Sequence, residues 1–145
     1  MKSDYLVKVL SSNIVDGDEL SDELITHANL TGSEEDYTIT YTEDNEGLPV
    51  ETVVRVLGGE CVTVRRRAEI ETDMVIEVGK KHISEHKLPF GSFNLEVIGN
   101  SITSEMKSGD VNLHFAYTTY QDNMPLGKAS FTMIVRKKGR HAGVV

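Results

Sequence analysis

Apolar and polar residues alternate with a period of two along almost the whole chain, and no stretch of about ten residues carries a capped 3.6-residue apolar repeat. A chain patterned this way can bury one face of many short strands and has no helix to cover the other. Tyr5, Val7 and Val9 open a first strand that ends near Asn13, and the acidic stretch Asp16-Gly17-Asp18-Glu19 supplies a hairpin turn. Leu24, Thr26, Ala28 and Leu30 form one face of a second strand. Asp36–Thr42 sets Tyr37, Ile39 and Tyr41 against three threonines, a strong strand signature. Val50–Leu57 and Cys61–Arg67 flank Gly58-Gly59, and Met74, Ile76 and Val78 mark a further strand. Lys81–Leu88 is extended up to Pro89, and Phe93–Ile98 and Ser101–Met106 flank Gly99-Asn100. Val111, Leu113, Phe115 and Tyr117 make the longest alternating run, and Phe131, Met133 and Val135 the last.

About nine or ten short strands separated by turn signals specify an all-β sandwich or barrel, and hairpin connections favour antiparallel neighbours. A single antiparallel barrel of the up-and-down type, with about 8–10 strands, is the preferred form, because closure removes aggregation-prone edges that nothing else in the chain could cover. The length of 145 residues suits one domain spanning 1–145, large enough to hold its own core. No window approaches about 18 consecutive apolar residues, which excludes a membrane-spanning helix, and no membrane partner is expected.

The net charge of −8 is unevenly spread. Residues 1–50 hold two basic and twelve acidic side chains, whereas the rest of the chain has a slight basic excess. Basic residues cluster only at Arg65-Arg66-Arg67 and from Arg136 to Arg140, so the phosphate-binding face of a nucleic-acid binder is not apparent. Residues 136–145 read as a flexible basic tail. Cys61 is the only cysteine and sits in a strand-like apolar run as a small packed residue. With neither a disulfide framework nor an apolar leader after Met1, the expected setting is cytoplasmic.

His82-Ile83-Ser84-Glu85-His86 matches a zinc-peptidase pattern that needs both histidines on one helix face, about 6 Å apart. In an extended segment four residues span about 13 Å, so no metal site is read here. The same alternation turns Lys81, Ile83, Glu85 and Lys87 towards water and His82, Ser84, His86 and Leu88 inward. Arg66 shares its phase with Val62 and Val64 and so also points inward, towards a barrel mouth. An inward arginine costs several kcal/mol unless it meets a carboxylate, carbonyls, water or an anionic ligand. The functional reading is a polar-ended cavity with Arg66 and His86 as anchors and Tyr41 and Tyr117 as amphipathic walls. The structural alternative has Arg66 reaching out of the mouth and the histidines bonded to backbone groups. His27 and His114 read as surface residues. No nucleophile elbow, phosphate-cradling loop or privileged carboxylate pair is present, so the sequence points to no enzyme and to no cofactor.

From Tyr37 to Tyr117 the chain resembles the YwiB-like family of small bacterial proteins. The resemblance rests on Asp36–Tyr41, on Val62-Thr63-Val64-Arg65-Arg66, on Pro89-Phe90-Gly91 followed by Ser101-Ile102, and on Phe115-Ala116-Tyr117. It implies a calycin-like (lipocalin-like) β-barrel with no established function and suggests, by analogy, a binding role. The leading expectation is therefore a non-catalytic barrel that binds a small molecule. The alternative is a protein-interaction or self-associating module with a filled core.

Overall fold

The computed structural model describes residues 4–138, which form ten strands and no helix. They are β1 (Tyr5–Val15), β2 (Asp18–Gly32), β3 (Asp36–Asn45), β4 (Leu48–Leu57), β5 (Cys61–Arg67), β6 (Glu71–Glu77), β7 (Lys81–Leu88), β8 (Gly91–Lys107), β9 (Asp110–Gln121) and β10 (Met124–Lys137). Each strand pairs antiparallel with its sequence neighbours, and β10 returns to β1, closing a ten-stranded barrel. Four hairpins turn on two residues, Asp16-Gly17, Glu46-Gly47, Ser108-Gly109 and Asp122-Asn123, each with both φ angles positive. Such turns match the right-handed twist of the strands they join.

The meander gives the barrel two unlike ends. At the first lie the β1–β2, β3–β4, β5–β6, β7–β8 and β9–β10 connections; at the second lie the other four connections and the meeting of β10 with the start of β1. Between them the inward residues pack into one core that includes Val7, Tyr37, Ile39, Val54, Val62, Ile76, Val97, Leu113, Phe115 and Met133. Tyr37 is fully buried, and its hydroxyl lies 2.6 Å from Ser104 Oγ, so the largest of the fully buried side chains keeps a hydrogen bond across the interior.

Three local expectations change. Gly99-Asn100 is a bulge inside one long strand, β8, and not a break between two. Gly99 is placed there by a close approach, because a Cβ would lie 2.7 Å from the Glu77 carbonyl carbon. Asn100, the extra residue, donates from Nδ2 to Thr118 Oγ1 at 2.9 Å. The last hairpin, turning on Asp122-Asn123, carries strand pairing well beyond Tyr117 and begins β10 at Met124. The basic segment is also not loose from its first residue: Arg136 pairs with Leu6 within β10 and donates to the carbonyl oxygens of Val111 and Val135 at 3.2 and 2.8 Å. The Lys138 amide donates to Asp4 O at 2.8 Å, and residues 139–145 lie outside the described residues.

The ring of ladders is uneven. β2 meets β3 over only five residue pairs, and β6 meets β7 over only three, while every other seam has at least six. The five-pair seam ends at Gly32, which has φ +111°. A Cβ there would enter the Asp36 carbonyl oxygen and come within 2.7 Å of Tyr37 Cα. Gly32→Ala is therefore expected to lower stability by roughly 2–3 kcal/mol in urea unfolding. Gly17→Ala, also at positive φ but with nothing within 4 Å of its Cβ, is expected to cost only about 1 kcal/mol. Equal losses would show that the tight approach at Gly32 carries no cost.

Candidate ligand site at one end of the barrel

A single register row crosses five seams and joins Tyr41, Thr52, Arg66, Thr72, His86 and Phe93, from β3 to β8. Three of the four residues singled out in the sequence, Tyr41, Arg66 and His86, thus stand on one row leading to the first end. Tyr41 is buried at its inner part, and its hydroxyl bonds to Thr52. Arg66 points inward with Val62, and its guanidinium, half exposed, lies 3.4 Å from Glu43 Oε1. The carboxylate that an inward arginine requires is therefore supplied by β3, one inward step beyond Tyr41. At this partial exposure the pair contributes little to stability and mainly fixes the position of the guanidinium.

His86 is more constrained than a free anchor would be. The Ser84 hydroxyl donates its one proton to Asp73 O at 3.1 Å, so at 3.1 Å from His86 it must accept from Nε2–H. That leaves Nδ1 to accept from Thr72 Oγ1 at 3.3 Å. The imidazole is thus a neutral Nε2–H tautomer, and burial lowers its pKa. Its ring stacks on Phe93 with centroids 4.9 Å apart and an interplanar angle of 8°. Together the two rings form a flat wall at the rim. His82 takes another course, meeting Glu77 Oε1 at 2.9 Å. Both histidines lie on strand β7, so the helical geometry of the zinc motif does not arise.

Tyr117 stands apart from this row. It projects inward from β9, between Gly99 and Ala129, and stacks on Phe131 with centroids 6.3 Å apart. β5 and β9 are four places apart in the ring of ten, so Arg66 and Tyr117 face the interior from opposite walls. Tyr117 is 8% exposed, and among the described residues its hydroxyl has no hydrogen-bond partner. Desolvation alone pushes its pKa up to about 12. Buried hydroxyls are normally bonded, so this atom marks an unmet requirement in the barrel interior.

The chain matches the family model described as "Domain of unknown function (DUF1934)" over residues 7–133. It belongs to that family. A solved structure, the crystal structure of ywiB protein from Bacillus subtilis, is similar with a TM-score of 0.79 and 21% identity, covering 92% of this chain and 90% of that one. At that identity the likeness speaks for the shared barrel alone. No curated protein matches the chain.

Other features of this family member lie outside the first end. On the outer wall an open groove of about 520 Å³ is bordered by Thr38, Arg55, Arg65, Asp73, Val75 and Ile83, where β6 and β7 part beyond Asp73 and Glu85. Both of its arginines are engaged: Arg55 makes a two-pronged bond to Asp36 at 2.9 and 3.0 Å, and Arg65 meets Asp73 at 2.9 Å. Among the described residues no group of three or more His, Cys, Asp or Glu is arranged to hold a metal ion. Sequence reasoning missed Glu43, Thr72 and Phe93. Only Glu43 had a signal, its shared phase with Tyr37, Ile39 and Tyr41; the others depend on cross-strand register.

Burial also raises the pKa values of Tyr37 and Tyr41. A tyrosine whose folded pKa exceeds its unfolded value of about 10 keeps its proton longer when folded, so its stabilising contribution is present below pH 10 and is lost as pH climbs towards the folded value. For Tyr117 that window runs from about pH 10 to about 12. Ultraviolet titration is therefore expected to show three of the five tyrosines ionising late, with unfolding accelerating over the same range. Tyr117→Phe should remove the last-titrating component; its persistence would mean that the Tyr117 hydroxyl is hydrated.

Proposed function

We propose that the barrel binds a small molecule at its first end without transforming it, in a cytoplasmic setting. The observation that carries this reading is the Tyr117 hydroxyl, buried inside the barrel with no bond from any described residue. Burying a hydroxyl unsatisfied costs about 1–3 kcal/mol, and a bound group that donates to it or accepts from it recovers that cost. Around it stands what a small ligand needs for orientation: on the opposite wall a guanidinium held by Glu43, and on the two strands before β9 the stacked rings of His86 and Phe93. Because both His86 nitrogens are occupied, its contribution is its ring face, with Arg66 and Tyr117 as the polar contacts and Tyr41 as the floor. The core between the two ends is packed with side chains, so the ligand is confined to the mouth and is not enclosed at the barrel centre.

The reading is tested by native mass spectra of the protein purified from cell lysate, recorded before and after denaturation. The expected result is an added mass of small-molecule size that leaves on denaturation. Tyr117→Phe and Arg66→Ala, each checked for folding by circular dichroism, are expected to reduce the occupied fraction roughly fivefold to tenfold. A bare mass, or occupancy unchanged in both variants, would overturn the proposal.

A further inference from the structure

β2 has a long edge that no described strand covers. It pairs with β1 from Asp18 to Ala28, but with β3 only from Ala28 to Gly32. Residues 18–27 therefore run past the end of the β2–β3 seam with one side open. At the point of departure the Thr26 hydroxyl donates to Thr42 O at 3.1 Å, a side-chain bridge where the ladder would otherwise have continued.

The phase of that edge follows from its turn. In a hairpin turning on two residues, the flanking pair, here Val15 and Asp18, exchanges hydrogen bonds, so Asp18, Leu20, Asp22, Leu24 and Thr26 spend theirs on β1. Glu19, Ser21, Glu23 and Ile25 then aim their N–H and C=O groups at the open side. The Glu23 amide behaves accordingly, bonding the neighbouring Asp22 Oδ1 at 2.9 Å and no strand. Four residues of free ladder are thus on offer, enough for strand addition by an extended segment.

The side chains select the partner. The open stretch carries Asp18, Glu19, Asp22 and Glu23, and β2 contains no lysine or arginine. Among the described residues only Glu23 of these has an ion-pair partner, Lys8 Nζ at 3.6 Å, while Glu19 accepts from Ser12 at 2.7 Å. Glu19 and Glu23 share the outer face with Ser21 and Ile25; Leu20, which is 74% exposed, and Leu24 share the other with Asp18 and Asp22. A second copy of this edge would set acid against acid, which guards against self-pairing.

We propose that the free edge of β2, residues 18–27, accepts an extended peptide segment of a partner protein in which basic and apolar residues alternate. The incoming backbone bonds Glu19, Ser21 and Glu23, its cations lie beside Glu19 and Glu23, and its apolar residues lie on Leu20 and Leu24. The proposal does not rest on the ligand reading: it is argued from the open edge of β2, and none of Arg66, His86, Tyr41 and Tyr117 belongs to that edge.

The test is fluorescence anisotropy with a labelled peptide of about seven residues, alternating lysine with valine and threonine. Controls are the same peptide N-methylated at alternate backbone positions and a glutamate-for-lysine version. The expected result is saturable binding by the basic peptide, weakened at least about tenfold by N-methylation, by the change to glutamate, or by raising salt from about 20 to about 200 mM. Ser21→Pro removes an edge donor without touching the β1 ladder and is expected to abolish binding. Glu19→Lys/Glu23→Lys provides a second variant should the proline prevent folding, with a loss of at least about tenfold. No binding up to about 1 mM, equal binding of the N-methylated or acidic peptide, or unchanged binding by both variants would overturn the proposal.

Discussion

The structure depends on backbone hydrogen bonds being closed into a ring. A strand pattern without helices leaves sheet edges that only closure can satisfy, and here the first and last strands meet over eleven residue pairs. With that ladder in place, the inward phase of ten strands converges on one core and the outward phase is free to be polar. Four of the hairpin turns serve the same end, since positive φ at both central residues lets the chain reverse with the twist that closure demands.

Closure is not uniform, and the exceptions are informative. The short seams between β2 and β3 and between β6 and β7 divide the ring into a panel of β3–β6 and a panel of β7–β2. Tyr41, Glu43, Arg66 and Thr72 belong to the first panel; Ser84, His86, Phe93 and Tyr117 belong to the second. The polar groups at the first end therefore sit on two bodies joined by the weakest ladders in the molecule. Side chains bridge them across the three-pair seam, His86 through Thr72 and Ser84 through the Asp73 carbonyl oxygen.

Much of this was legible from residues alone. Alternation in Val62, Val64 and Arg66 was enough to turn the arginine inward, and elementary electrostatics required an anionic, polar or watery partner for it. The resemblance carried by Asp36–Tyr41, Val62–Arg66 and Phe115–Tyr117 anticipated the closed barrel. What could not be read was pairing between strands. Period-two patterning says which face a residue takes, but not that Thr72 lies opposite His86, nor that Glu43 reaches across to Arg66. Gly99-Asn100 looked like a break because a bulge and a turn use the same residue types; only the approach of Glu77 explains the glycine. The basic residues from Arg136 read as a tail because charge suggests solvent, whereas the carbonyl oxygens of Val111 and Val135 were invisible in one dimension.

The ladder between β1 and β10 also has a bearing on how the chain reaches this state. Every other seam joins strands adjacent in sequence and can form as a local hairpin, whereas Tyr5 must find Lys137. The cost of closing so long a loop is met only in the final step, so a nascent chain lacking β10 holds two open edges, on β1 and β9, each about eleven or twelve residues long. Synthesis from the N-terminus therefore leaves the whole meander exposed to misassociation until its last strand emerges. The rate at which β10 docks, more than the strength of any one hairpin, sets the kinetic hazard in the folding of this protein.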